Sequence, residues 1–239
     1  MLQGMNANPL PDTRLHPFDE ATAIQAVGPG RARGRTSEAY WAFVGPFGGF
    51  TAASLLRAVT ADPRAAGDPL ALTVNYAAPI AEGAFDLEAV LVRANRSSQH
   101  WTVTLSQNGA EPAATATVVL AERRGSWAYA PAAAPQVTAA TELPRHASNA
   151  ARWVGQYDFR FASGAPDYTG GDMPGNVRSE VWIADAEPRQ VDHISLASMA
   201  DAFFGRIFHA RRAIVPFGTV SMTVHFHAAA AELAAEPAT

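Results

Sequence analysis

Asp201 stands out in this 239-residue chain as a group able to do chemistry. It lies in an apolar run, Leu196 to Phe203, and its neighbours three and four positions away (Ala197, Ser198, Phe204, Gly205) include no cation. Arg206 is the only other charge in the helix that this run describes. A carboxylate so placed either occupies a narrow wet seam or is desolvated, and desolvation raises its pKa toward the range of a general base. The pair Gly48-Gly49 is the second candidate, because it stands where a helix begins. N–H groups in a first helical turn lack intrahelical partners and sit at the positive end of the dipole, which suits a developing oxyanion. Glycines there serve close packing and a tight turn equally well. His225 and His227 share a strand face, but two ligands at that spacing without a third make a poor metal site. They read better as a packed or interface pair. Gly28-Pro29-Gly30 followed by Gly34 imitates a dinucleotide motif without its spacing or a surrounding βαβ unit, and is a turn.

Several chemistries are excluded by composition. The chain has no cysteine and no lysine, since all eighteen basic residues are arginine, which removes a thiol nucleophile, a disulfide framework, a Schiff-base lysine and a Walker-type loop. Neither Gly-x-Ser-x-Gly nor His-Glu-x-x-His occurs. With 17% charged residues and a net charge of -4 there is no basic field for nucleic acid or an acidic membrane surface. The N-terminal residues Met1 to Leu15 hold no signal-peptide core, and no later run approaches the ~20 apolar residues of a membrane span, so a soluble, cytoplasmic protein is expected.

The elements that must position these groups follow from periodicity. Gly45 to Val59 opens a helix whose Ala52, Leu55, Leu56 and Val59 fall at i, i+3, i+4 and i+7, ending near Asp62-Pro63. Strands then alternate over Leu70–Tyr76, Phe85–Arg93, Trp101–Gln107 and Ala113–Ala121, with hairpin punctuation at Asn95–Ser98 and Gln107-Asn108-Gly109. A linker rich in Ala, Pro and Thr separates this first unit (16–125) from the second, and spans 126–151. In the second unit (152–239), strands at Tyr157–Phe161 and Arg178–Ile183 flank a Gly, Pro and Asp loop at Ser163–Asn176. A helix from His193 to about Ala210, apolar nearly all round, and a strand at Val220–Phe226 follow. The order strand, central helix, strand occurs twice, but one strand follows the second helix where four follow the first. On that template, on the order of 50 residues of meander are missing at the C-terminus.

Antiparallel strands wrapped around one very apolar helix, twice, predict an α+β double hot-dog with an incomplete second unit. Gly45 to Val59, Leu72 to Pro79 (LTVNYAAP), Asn95–Ser98 followed by Ser106–Gly109, and the pair Leu196–Phe203 with Thr219–His227 resemble the type II acyl-CoA thioesterases and the related thioesterase-like superfamily. The resemblance covers about Phe18 to His227, with its C-terminal part missing. It implies hydrolysis of an acyl-CoA by a water held between a helix carboxylate, matching Asp201, a hydroxyl at the start of the next strand, matching Thr219, and a late glutamine. That glutamine would lie beyond Thr239. Gln107 belongs to the first-half copy, which the family does not use for chemistry.

The resemblance further implies no metal or redox cofactor, an acyl-CoA substrate, no nucleic-acid or membrane partner, and a homo-oligomer, because a hot-dog unit completes its sheet against another. A non-catalytic acyl-binding module is the alternative, favoured by the missing glutamine; a hydratase would need an Asp and His pair that is absent. Leu196, Met199, Phe203, Phe204, Ile207 and Phe208 cannot all be covered by one strand. Either the chain is truncated or a partner supplies strands, and Ala228–Thr239 is expected to form a loop or to be poorly ordered.

Overall fold

The computed structural model describes residues 14–127, 129–147, 151–166, 177–203, 205–213 and 215–238. Most of the expected N-terminal segment, the loop positions 167–176, Phe204 and Thr239 lie outside the described residues. Pro17 and two acidic residues start a one-turn helix, α1 (Pro17–Ala21). A hairpin follows, β1 (Gln25–Gly28) and β2 (Arg31–Arg35), and Pro29-Gly30 makes its turn.

Helix α2 (Gly48–Thr60) carries the expected stripe, but burial extends beyond it: Phe50, Ala52, Ala53, Leu55, Leu56 and Val59 are all solvent-free. Each large side chain there contributes roughly 1.5 to 3 kcal/mol of burial. Ser54 is tolerated because its hydroxyl donates to the Phe50 carbonyl at 2.9 Å.

Strands β3 (Asp68–Tyr76), β4 (Ala84–Ala94), β5 (Ser98–Ser106) and β6 (Ala114–Ala121) form the antiparallel meander. Alternate residues such as Leu72 and Val74, Phe85 and Leu87, Trp101 and Val103, and Ala116 and Val118 are buried against α2. Asn108-Gly109, with φ of 53° and 70°, takes the sharp turn between β5 and β6.

The second half begins with a two-stranded sheet, β7 (Tyr157–Ser163) paired with β8 (Glu180–Asp185). Helix α3 (His193–Met199) follows, started by a capping box in which Asp192 accepts from the Ser195 N–H at 2.7 Å. Arg189 anchors that cap, binding Asp192 at 2.7 Å and Asp19 of α1 at 2.8 Å, while Arg57 of α2 binds Asp19 at 3.2 Å. One network therefore ties together three helices. Helix α4 (Arg206–Arg211), strand β9 (Ser221–His225) and helix α5 (Ala230–Ala235) complete the chain. Strand β9 does not stay with β7 and β8. It pairs with β3, Asn75 opposite Ser221 and Ala71 opposite His225, giving a seven-stranded sheet in the order β1-β2-β4-β5-β6-β3-β9.

Two expectations are corrected. The single helix from His193 to Ala210 is two helices, because the Asp201 and Ala202 N–H groups bond back only three residues and Gly205 adopts a left-handed conformation before α4. The tail is not a loop: Glu232 accepts from the Ala229 N–H, Leu233 is buried, and Gln190 donates to the Leu233 and Glu236 carbonyls at 2.6 and 2.9 Å. The apolar stripe of the second helix, as expected, is not fully covered. Ile194, Met199 and Phe208 are buried, while Phe203 and Ile207 stay 58% and 39% exposed.

Candidate active site

Four elements converge at one end of the large sheet. The β3–β9 pairing sets the Tyr76 N–H 2.9 Å from the Val220 carbonyl and brings the Thr73 and Thr223 hydroxyls within 3.0 Å. Thr219, one residue before that contact, is thereby carried to the end of β3. Helices α2 and α3 cross so closely that a Cβ on Gly49 would collide with the Ser198 carbonyl oxygen. This crossing brings Asp201, in the turn after α3, to the start of α2.

The carboxylate is held from both sides. Thr219 Oγ1 donates to Asp201 Oδ1 at 2.9 Å, and the Gly49 backbone also favours the charged form. Oδ2 lies against Gly48, where a Cβ would fall inside van der Waals contact with that oxygen and 3.3 Å from Cγ. Tyr76 reaches the same turn, its hydroxyl donating to the Gly48 carbonyl at 2.9 Å. Burial pushes Asp201 up to about 6, opposed by the Thr219 hydrogen bond and by the Gly49 backbone. Burial, with the neighbouring Asp201 charge, raises the Tyr76 phenol far above its usual range, so it remains a neutral donor.

Above these groups opens a cleft of about 400 Å³. Phe43, Val44, Pro46, Phe47, Trp153 and Phe217 supply much of its apolar wall, and among the described residues Asp201 is the only charged one in its lining. Phe47 and Trp153 stack at 3.9 Å, joining the start of α2 to the turn at Arg152–Gln156. A narrow apolar cavity between β7–β8 and Phe203 holds only about 20 Å³, too little for an acyl chain.

The structure thus brings Asp201, Thr219, Gly48 and Gly49 into one place. Both glycines lie in the first turn of α2: Gly48 faces the cleft against Asp201, and Gly49 is buried against Ser198 of α3. Close packing and a polar role coexist in the pair. Tyr76 was missed by sequence reasoning, since its alternation in β3 marks only a strand position. Gln107 is spent on structure, bonding the Ala81 N–H and the Ala81 and Ala84 carbonyls. His225 and His227 are exposed, and among the described residues no group of three or more His, Cys, Asp or Glu is placed to hold a metal. No helix among them is long and apolar enough to cross a membrane.

Comparison with known proteins adds to this geometry. The family model of the acyl-CoA thioesterase N-terminal domain matches residues 37–121, and that of the C-terminal domain matches 131–237. The expectation of a missing C-terminal part is therefore corrected: the second domain is present, although among the described residues a single strand follows its helices and that strand joins the first sheet. Among solved structures, a conserved protein of unknown function with a hot-dog fold from Alicyclobacillus acidocaldarius is 38% identical with a TM-score of 0.87, covering 94% of this chain and 83% of its own. A tesB protein from Mycobacterium avium subspecies paratuberculosis is 16% identical at a TM-score of 0.69, covering 89% of this chain and 79% of its own. An acyl-CoA thioesterase II from Mycobacterium marinum is 18% identical at 0.58, covering 77% of this chain and 68% of its own. At those identities the latter two speak to the fold alone. No curated protein matches the sequence.

Proposed function

Given that the chain belongs to the acyl-CoA thioesterase superfamily of double hot-dog proteins, we propose that it hydrolyses an acyl-CoA thioester with water activated by Asp201. The observation that carries this reading is a half-buried carboxylate, raised to about 6, held by Thr219 beside the Gly48 turn as the one charged group that the described residues place on an apolar cleft. Such a group is ionised at pH 7 yet basic enough to accept a proton. With its own proton given to Asp201, the Thr219 oxygen keeps lone pairs for a water O–H and so steadies that water beside the carboxylate. The water oxygen attacks the thioester carbonyl carbon while its proton passes to Asp201. The negative charge that develops on the carbonyl oxygen is met at the first turn of α2, where Gly48 faces the cleft and its N–H has no intrahelical partner. Collapse of the tetrahedral intermediate breaks the C–S bond, and the thiolate leaves as the CoA thiol with the proton that Asp201 returns. The apolar wall accommodates an acyl group, while the open edge of β9 is the surface for assembly into a homo-oligomer.

The test is thiol release from acyl-CoA substrates by wild type and Asp201→Asn. Removing the base while keeping the shape is expected to lower turnover about 100-fold or more in a folded protein. Near-normal turnover in the folded variant refutes the assignment. Acyl-CoA binding without turnover in wild type replaces it with the acyl-binding module.

A further inference from the structure

We infer that Trp153 sets the acyl-chain length that the cleft accepts, by shutting it off from a second apolar space beneath β7 and β8. Its indole lies at the boundary of the two. Trp153 lines the cleft and the next residue, Val154, lines the narrow cavity; Asp201 lines the cleft and the next residue, Ala202, lines the cavity. Cleft and cavity therefore run back to back along two separate stretches of chain, one of which carries the carboxylate. The indole touches both sides of that boundary. It stacks on Phe47 of the cleft wall at 3.9 Å and meets Phe159 of the cavity wall edge-on at 6.1 Å.

The partition is firmly seated. Trp153 is buried, its backbone N–H donates to the Trp41 carbonyl at 3.4 Å, and the Phe47 N–H donates to the Tyr40 carbonyl at 2.8 Å. A close-packed ring stack anchored through the backbone at both members resists displacement by a ligand. Behind it the cavity holds only about 20 Å³, although Phe161, Val181 and Ile183 would suit a hydrocarbon. Lack of room, not polarity, keeps a chain out. An acyl chain running from a thioester at Asp201 toward this wall stops at the indole, so the cleft takes acyl groups of limited length.

This inference rests on the reading of the cleft as the acyl site of a thioesterase, and measuring binding beside turnover separates the two. S-alkyl-CoA thioethers, which have no thioester to hydrolyse, are titrated by calorimetry from ethyl to hexadecyl into wild type, Trp153→Phe and Trp153→Ala. The matching acyl-CoA thioesters give kcat/KM. In wild type, affinity rises by about fourfold per added methylene until the chain reaches the indole, then levels off. Trp153→Phe keeps a ring on Phe47 and frees the space of one fused ring, which moves the limit by about one or two carbons. Trp153→Ala opens a space comparable with the ~150 Å³ apolar cavity that accepts benzene, and moves it by about three carbons or more. A chain three carbons past the wild-type limit then binds about 60-fold tighter, and kcat/KM for the longer thioesters rises in the same order.

An unchanged limit in the folded variants overturns the inference and, where hydrolysis is intact, leaves the thioesterase reading standing. A wild type whose affinity climbs to hexadecyl without levelling, or that binds no thioether, overturns it as well. Uniform loss at every chain length assigns Trp153 a packing role and also overturns it. Trp153→Phe decides the matter where Trp153→Ala does not fold. A limit that lengthens from wild type through Trp153→Phe to Trp153→Ala, in a protein without hydrolysis, upholds the inference while removing the thioesterase reading.

Discussion

Gly48→Ala separates the seat of the carboxylate from the stability of the fold. The added methyl would fall inside van der Waals contact of Asp201 Oδ2. Carbon and oxygen need roughly 3.3 Å or more, so the oxygen must retreat by about 1 Å. That retreat strains or breaks the 2.9 Å Thr219 bond. A misplacement of about 1 Å at a reacting group is worth on the order of 100-fold in rate. Stability responds less, because the obstructing atom is the end of a side chain that can swing. The overpacking cost of about 1 to 3 kcal/mol is partly offset by the gain of about 1 kcal/mol for alanine over glycine in a helix. Gly49→Ala meets the Ser198 backbone carbonyl instead, so it must push α3 from α2 and is expected to lower the melting temperature. Thiol-release kinetics and thermal melts on both variants form the assay. Wild-type turnover in Gly48→Ala would refute the placement of Oδ2 against Gly48 as functional.

With Asp201 at about 6, kcat/KM is expected to rise through pH 6 and level off above it, reaching only about a tenth of the plateau at pH 5; a flat profile from pH 5 to 8 contradicts the base assignment. Asp185, buried with Oδ1 unpartnered, is also pushed up to about 6 by burial. Its folded pKa exceeds the unfolded 3.8, so it favours the fold below about pH 4 and that contribution is lost as pH rises through 6, a swing of up to about 3 kcal/mol. Asp185→Asn should therefore be more stable than wild type at pH 8 and show a shallower loss between pH 4 and 6 in urea unfolding. Arg189→Ala leaves Asp19 and Asp192 without their shared cation and should cost about 1 to 3 kcal/mol; the range lies below that of a fully buried pair because Asp192 is 43% exposed. Equal urea midpoints for Arg189→Ala and wild type would remove the network from the account of how α3 is held. Thr219→Val should reduce turnover by less than Asp201→Asn, since the hydroxyl steadies water without taking its proton, and wild-type kinetics would remove Thr219 from the mechanism.

Local pattern suffices where neighbours in sequence are also neighbours in space. The stripe of α2 and the alternation of β3 to β6 are of that kind: the residues that sequence spacing marks as core are buried, and the meander joins strands through short turns. The chain from Leu196 to Phe208 misleads for the same reason. Its apolar period runs unbroken through Ala200–Gly205, and only three-dimensional contacts decide that the helix stops so that the Asp201 side chain can meet Thr219 and the turn at Gly48. Hairpin β1–β2 and helices α1 and α5 are too short to carry a period, and α5 is secured by Gln190, about forty residues earlier.

Asp201 was legible as an unaccompanied charge in an apolar run, and Gly48-Gly49 as a helix start, because both signals are local. Thr219 is one hydroxyl among many and was found by resemblance, while Tyr76 had no signal at all. Both acquire meaning from the antiparallel pairing of β9 with β3, a contact between residues about 150 positions apart that composition and periodicity do not encode. Sequence determined which segments bury which faces, since that depends on hydrophobic spacing alone. Tertiary structure decided the site, because hydrogen-bond geometry at a carboxylate depends on where four separate elements end.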